Sequence, residues 1–470
     1  MRRLLLTAAL AVALVAPTTS VLAGAAEPAA SWDFNGDGMT DLADGWPGAE
    51  EGGPGAVFVR YRTSDGFTER QTLRHPGRVG DSNDGFGAAV ASTDLDRDGY
   101  ADLAVGAPGY RLDQSTYGSV TVFRGSPTGL SQSGTTTLAW PRRADGDQVA
   151  FGTSLAVADL SRDGWPDIAV GAVDGDGDRG ADRSFVATLF GGPAGFALER
   201  ANVVAAPAGT RWFGLTIAAG DVNGDGYVDL VESADGPGPH VSFAAGTADG
   251  PRQARVLTNV WAQSLAVGDV TRDGVADIVA SRPYRRYDNA RAKPYVGTGR
   301  VTLFRGSASG PRDGVTVTQE SPGVPGRSTY RDFFGSSVTI LDVNANGTPE
   351  VVVGAPGETV DGVRAAGALT LLRVGPSGFR TNGNRRVTQD QRGIPGRPQR
   401  FGFFGDRVSG WDEGERGRLF VTVRRPSAST SDPGVLGIMW VVDGRLGTGP
   451  ARSYAVLDGT GLLPRESGST

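Results

Sequence analysis

A nine-residue acidic stretch occurs six times in this 470-residue chain, each time inside the same frame of flanking residues. It reads Asp33-Phe-Asn-Gly-Asp-Gly-Met-Thr-Asp41, Asp94-Leu-Asp-Arg-Asp-Gly-Tyr-Ala-Asp102 and Asp159-Leu-Ser-Arg-Asp-Gly-Trp-Pro-Asp167, then again from Asp221, Asp269 and Asp342. Eight residues ahead of the first Asp in copies two to six stand Phe86, Phe151, Phe213, Trp261 and Phe334, and Gly follows each Phe. Twelve residues after it comes a small-residue corner, Gly106-Ala107-Pro108 in copy two and Gly354-Ala355-Pro356 in copy six, with Pro47, Pro283 and Pro426 at the matching place. Phe404-Gly405 before Asp412 keeps the frame for a seventh, degenerate copy whose acidic pattern is lost. The period is about 63 residues, and seven units fill residues 26–470, so one small architecture must be built seven times.

Within a unit, short apolar or alternating runs flank the acidic loop, as in Ala88-Ala-Val-Ala-Ser before it and Leu103-Ala-Val after it. A third run recurs as Ser119-Val-Thr-Val-Phe, Phe185-Val-Ala-Thr-Leu-Phe, Arg300-Val-Thr-Leu-Phe and Ala368-Leu-Thr-Leu-Leu, followed by Gly or Pro turns and a fourth segment such as Thr135-Thr-Thr-Leu. Each unit therefore reads as a four-stranded antiparallel meander, with no helical periodicity between units. The predicted fold is all-β: a seven-bladed β-propeller whose blades bury their faces against neighbours. An open solenoid of seven sheets is the alternative, but ring closure removes the sheet edges that an open array would expose. The first copy lacks room for its first strand, and Gly437-Ile-Met-Trp-Val-Val and Tyr454-Ala-Val-Leu are candidates to complete the ring beside it.

Composition narrows the chemistry. The 72 Gly and 28 Pro fall largely at the fixed turn points, and the absence of Cys excludes disulfides, thiol catalysis and Cys-ligated metals. Lys293 is the single lysine, so a P-loop is excluded, and a net charge of −6 argues against nucleic acid as partner. Arg2, Arg3, the apolar run Leu4–Ala16 and small-residue cleavage sites near Ala23 or Ala25 predict a secretory signal peptide over residues 1–25. That run is short for a bilayer, so the expected product is secreted, extracellular and without a membrane span.

Carboxylates and amides at positions 1, 3, 5 and 9, with Gly at position 6 for the bend, direct several oxygens at one centre, and the position-7 carbonyl can add another. The chemistry fits calcium. The predicted ligands are Asp33, Asn35, Asp37, Met39 and Asp41; Asp94, Asp96, Asp98, Tyr100 and Asp102; Asp159, Ser161, Asp163, Trp165 and Asp167; Asp221, Asn223, Asp225, Tyr227 and Asp229; Asp269, Thr271, Asp273, Val275 and Asp277; and Asp342, Asn344, Asn346, Thr348 and Glu350. By charge the second loop should bind most tightly and the sixth most weakly. Solvated Asp-Gly and Asn-Gly turns are the competing reading, which a sixfold recurrence disfavours.

The combination of Phe86-Gly87, Asp94 to Asp102 and Gly106-Ala107-Pro108 resembles the FG-GAP repeat of integrin α-subunit propellers and their bacterial relatives. The resemblance implies a seven-bladed propeller with calcium in the hairpins between first and second strands, on the lower rim. Copy four, with Ser233-Ala234-Asp235, and copy five, with Trp261-Ala262, depart from the pattern. Family members usually bind partners on the opposite face, where the insertion Arg282-Pro-Tyr-Arg-Arg-Tyr-Asp-Asn-Ala-Arg-Ala-Lys-Pro-Tyr295 would lie. Tyr284, Arg285, Arg286 and Tyr287 are its candidate ligand-binding residues, since Arg and Tyr are favoured at recognition hot spots. Asp174, Asp176, Asp178 and Asp182 repeat the acidic spacing on that rim, although Arg179 replaces the bend-forming Gly. The expected function is a monomeric binding or adhesion scaffold for an extracellular protein or glycan. The alternative is a carboxylate-based hydrolase or lyase acting on glycan or lipid, since Gly-x-Ser-x-Gly and His-Glu-x-x-His are missing and only His75 and His240 offer imidazoles.

Overall fold

The computed structural model describes residues 31–456 apart from short segments, the longest being 48–54, 142–148, 175–182, 284–298, 425–434 and 442–452. The predicted signal peptide and the Tyr284–Tyr287 segment lie outside the described residues. Among the described residues, no helix is long and apolar enough to cross a membrane.

The chain is all-β, and each repeat copy forms one antiparallel sheet in sequence order. Copy two runs Ala89–Thr93, Asp102–Ala107, Thr116–Phe123 and Thr136–Pro141. Copies three, four and five repeat that meander from Val149, Arg211 and Ser264. Copy six adds a small fifth strand, Gly378–Phe379, to its sheet. A single parallel bridge between Phe151 and Gly118 links the sheets of copies two and three. The first copy shows three strands, Leu42–Trp46, Ala56–Arg60 and Gln71–Leu73. The C-terminal segments expected to complete the ring beside it instead complete the last sheet: Val435–Val441 pairs with Arg416–Arg424 on one side and Ser453–Val456 on the other. Their hydrophobic alternation needed a partner, and copy seven offered one closer along the chain.

The core is divided rather than central. Six clusters of buried side chains each draw on two successive copies: Phe34, Val57 and Leu73 with Phe86, Leu103 and Phe123, for example, or Leu341, Val352 and Leu371 with Phe404, Leu419 and Val421. Sheets with two apolar faces stack face to face in this way, each burying itself against the sheet before and the sheet after it.

The fixed Phe-Gly and Gly-Ala-Pro points explain how closely the sheets approach. Phe86, Phe151, Phe213, Phe334 and Phe404 are fully buried; Gly87, Gly152, Gly214 and Gly405 meet the second-strand Gly of the preceding copy, while Gly335 meets the backbone of Arg282 and Arg300. A Cβ on Gly106 would stand 2.1 Å from the Gly152 carbonyl oxygen, one on Gly45 2.1 Å from that of Gly87, and one on Gly354 2.0 Å from that of Gly405. Gly152 itself has φ +95°, which a side chain would disfavour. These backbone contacts leave no space for a methyl group on either side.

The two aberrant copies meet at one such contact, which accounts for both departures. Ser233 stands where copy four should have Gly and Ala262 where copy five should have it, and they are partners. The Ser233 hydroxyl donates to the Ala262 carbonyl at 2.8 Å and accepts from the Ala262 N–H at 2.8 Å. A side-chain bridge thus replaces the direct glycine contact.

Gly106→Ala should lower the unfolding free energy by about 1–3 kcal/mol through overpacking. Ser233→Ala should cost about 1–3 kcal/mol by leaving the Ala262 amide unsatisfied. Denaturant titration checks both, with the exposed substitution Ser133→Ala as a control expected within about 0.5 kcal/mol of the parent. A Gly106→Ala protein as stable as the parent would contradict the contact geometry.

Candidate metal loops along one rim

All six acidic loops fold alike because their side chains accept hydrogen bonds from their own backbone. The position-1 carboxylate takes the N–H groups of positions 5 and 6: Asp94 accepts from Asp98 at 3.1 Å and Gly99 at 3.0 Å, and Asp33, Asp159, Asp221, Asp269 and Asp342 repeat the pair. Position 5 then accepts from position 7, as Asp98 does from Tyr100 at 3.0 Å and Asp163 from Trp165 at 2.8 Å. Two left-handed residues let the chain wind round these acceptors. Position 6 is the Gly expected from the sequence, and position 4 is also left-handed, even as Arg97, Arg162 and Arg272, with φ of 60°, 59° and 61°.

Position 9 has a wider role than that of a loop ligand. One oxygen of Asp102 accepts from Leu95 N–H at 3.0 Å and the other from Gly125 N–H at 2.8 Å, just past the third strand. Asp167, Asp229 and Asp277 make the same double bridge, to Gly191, Gly246 and Gly306, and Asp41 reaches Arg62 N–H. Each of these carboxylates ties its loop to its own sheet. They are also buried, and burial, outweighing the backbone hydrogen bonds, raises Asp41 and Asp102 to about 7 and Asp167 and Asp229 to about 6. Burial raises Asp277 and Glu350 in the same sense.

The donor set fits a hard cation. Asp94, Asp96 and Asp102 bring one carboxylate oxygen each to within 4.8 Å of one another. The Asp96 Oδ1 and Ser161 Oγ atoms, both at position 3, are shut off from solvent with no hydrogen-bond partner. Orphaned buried oxygens facing other carboxylates are costly unless a cation takes them. Arg124 pairs with the second oxygen of Asp96, offsetting part of the extra charge that singled out the second loop. In copy seven Asp412 instead pairs with Gly417 in a hairpin running from Val408–Glu413 into Arg416–Arg424.

Successive loops also touch, which position-by-position reading of one repeat could not reveal. The Arg97 guanidinium lies 5.3 Å from the Trp165 ring and Arg162 lies 5.3 Å from the Tyr227 ring, so position 4 of one loop covers position 7 of the next. Arg272 donates to the Thr348 hydroxyl at 3.3 Å in the same relation. Where position 4 is Gly36 or Gly224, the neighbouring Tyr100 or Val275 fills the space instead. The available signal was the repeated pairing of Arg at position 4 with an aromatic at position 7 of the following copy.

His75 is held on every side: Gly77 N–H donates to its Nδ1 at 3.0 Å, its Nε2 faces Ser119 Oγ at 3.1 Å, and its ring stacks on Tyr110 at 3.9 Å. His240 stacks on Phe213 at 6.2 Å inside the copy-three to copy-four contact. In the second acidic cluster, Asp174 accepts from Arg183 N–H, while Asp176, Asp178 and Asp182 lie outside the described residues.

Residues 86–123, 151–186, 261–304 and 334–372 match the FG-GAP repeat, in copies two, three, five and six. Copy five matches despite its Trp-Ala. The chain is 39% identical to mouse (Mus musculus) integrin alpha-7 over 153 residues, which cover 31% of this chain and 12% of that one. It is 33% identical to human (Homo sapiens) phosphatidylinositol-glycan-specific phospholipase D over 203 residues, 40% of this chain and 24% of that one. To chicken (Gallus gallus) integrin alpha-V it is 30% identical over 232 residues, 45% and 20% of the two chains. The chain thus spans no more than about a quarter of the length of these relatives. It is an all-β protein carrying FG-GAP repeats, the repeat of β-propellers.

Asp102→Ala should cost about 2–5 kcal/mol even in chelator, because two buried N–H groups lose their acceptor. Asp96→Ala should cost little under the same conditions. Denaturant titration of both in chelator distinguishes a staple from a ligand, and equal losses would contradict the division.

Proposed function

We propose that the chain is a secreted, calcium-rigidified, seven-bladed β-propeller that acts as a binding or adhesion scaffold for an extracellular protein or glycan. The observation that carries the calcium reading is the pair of orphaned position-3 oxygens, Asp96 Oδ1 and Ser161 Oγ, the first of them in a loop where Asp94, Asp96 and Asp102 bring a carboxylate oxygen each to within 4.8 Å of one another. The thirty predicted ligand positions are retained as candidates. Position 9 would share its oxygens between the cation and the backbone, and the cation would supply charge neutralisation where carboxylates crowd. Closure into a ring is supported by one link between the first and last sheets: the Arg407 charge, at the start of the last sheet, acts on Asp44 in the first.

The scaffold reading rests on the repeat itself and on its similarity to integrin α-chains, together with the signal-like N-terminal sequence, which supports export. No Cys restrains the chain, so cation binding would be its substitute. At calcium ten times Kd, six independent sites would add about 8 kcal/mol, against a usual domain stability of about 5–15 kcal/mol. A monomer suffices for this role, since a closed ring leaves no open sheet edge.

Calcium added to metal-free protein should raise the melting temperature substantially, and more so at pH 8 than at pH 5.5. The sign follows from position 9. Without a cation its folded pKa is raised above the unfolded value, so protonation stabilises the metal-free fold at low pH and that stabilisation is lost as pH rises through about 6–7. Calcium must displace those protons, so it acts most strongly above that range. Superimposable melting curves with and without calcium at pH 8 would remove the proposal. For the partner, a glycan and matrix-protein array should give selective binding that chelator abolishes, and an array blank in calcium would count against the scaffold reading.

A further inference from the structure

At the end of the sheets opposite the acidic loops, one aromatic ring is held out into solvent. Of the five large apolar side chains exposed among the described residues, Phe401 is the one aromatic, at 41% exposure. It lies in the segment that leads into Phe404-Gly405 of copy seven, and its backbone sits at φ +59°, a conformation that bulky residues rarely adopt. Copy six makes the same left-handed turn three residues ahead of Phe334 with Arg331, at φ +68°, so the turn itself does not call for an aromatic. Nor does the core, since Phe404 is wholly buried and already fills the contact between the two sheets.

The ring is fixed by backbone hydrogen bonds. Phe401 N–H donates to the Arg364 carbonyl at 3.1 Å, and the N–H groups of Phe403 and Phe404 donate to the carbonyls of Ala365 and Ala366 at 3.0 Å each. The copy-seven segment is thereby laddered to the connection between the second and third strands of copy six, which Val360 and Val363 close on itself with bonds of 3.1 and 2.8 Å. Two guanidiniums attend the ring: that of Arg400 lies 5.1 Å and that of Arg364 5.7 Å from its centre, and both residues are exposed. Neither forms an ion pair among the described residues. Of the acids in the same connection, Glu358 is held by Arg386 and Gln319, and Asp361 makes no ion pair among the described residues. An exposed aromatic ring that carries two unpaired arginines on a preorganised backbone has the composition that protein recognition favours.

We infer that Phe401, Arg364 and Arg400 form a docking point for an extended acidic segment of a partner protein, one with two carboxylates two residues apart. The guanidiniums stand no more than about 11 Å apart, and side chains i and i+2 of an extended chain share one face about 7 Å apart, a spacing that two Arg–carboxylate pairs can bridge. Glutamate methylenes then cover the Phe401 ring. The chain's net charge of −6 opposes a long polyanion, so recognition falls to this local pair of cations, and a short acidic protein segment fits it better than a sulfated polysaccharide. The inference deepens the scaffold reading by naming the partner's chemistry and rests on it.

Binding of the full chain, in calcium, to an immobilised peptide bearing Glu-Ser-Glu tests it, with the Gln-Ser-Gln peptide and heparin as the other probes. The Glu peptide should bind at least about fivefold more tightly than the Gln peptide and weaken as salt is raised. Arg400→Gln should narrow that difference and the further change Arg364→Gln remove it, with an unchanged melting temperature. Phe401→Asn, which tolerates the left-handed backbone, should weaken binding at least about threefold. Arg252→Gln removes an exposed arginine between the third and fourth strands of copy four, at the acidic-loop end, and should leave the affinity within about twofold. Equal binding of the two peptides, binding untouched by the arginine pair, or a loss with Arg252→Gln as large as with Arg400→Gln would each overturn the inference. Heparin bound more tightly than the Glu peptide, and released by the same arginine changes, would overturn it in favour of a sulfated polysaccharide. Absence of Glu-peptide binding by a chain that still binds a matrix protein selectively in calcium would overturn it and leave the scaffold reading standing; a blank array removes both.

Discussion

Backbone touching backbone between successive sheets is the constraint on which the rest of this molecule depends. Gly87, Gly152, Gly214 and Gly405 each lie against the second-strand Gly of the sheet before, with about 2 Å separating a would-be Cβ on that second-strand Gly from the opposing carbonyl oxygen. That approach brings the faces close enough for one aromatic ring per contact to be buried, Phe in five of the six and Trp261 in the other, and the six cores follow from it. When copy four gave up its Gly, copy five gave up the matching one, and a serine hydroxyl took over the space with two hydrogen bonds.

The same spacing makes a row of the acidic loops. Because adjacent sheets stand at a fixed distance, position 4 of one loop reaches position 7 of the next, and the contacts Arg97 to Trp165, Arg162 to Tyr227 and Arg272 to Thr348 run along the rim. Each loop is meanwhile stapled into its own sheet by the buried position-9 carboxylate. A cation bound at one loop would therefore act on a structure already coupled to its neighbours, which is how a small ion would stiffen a whole row of sheets.

The repeat frame made the all-β class, the meander and the loop positions legible, since strand alternation and turn glycines are local signals that recur in register. Three things were not legible. The pairing of Val435–Val441 and Ser453–Val456 within the last sheet depends on which edge is nearer in space, which hydrophobic alternation alone cannot rank. The second task of Asp102 and its equivalents depends on the N–H of a residue 23 positions further on, invisible in a nine-residue motif. The Ser233–Ala262 exchange looked like two defects because each copy was compared with the average repeat rather than with its neighbour.

Cation binding by these loops as a set is the property on which the proposed stiffening depends. The direct measurement is the calcium content of the folded, desalted chain at saturation, by elemental analysis against protein concentration. Six equivalents per chain, with the loop of Asp342 to Glu350 the first to empty as free calcium is lowered, is the predicted result. A saturated chain with no bound calcium, or with a single equivalent, would contradict it.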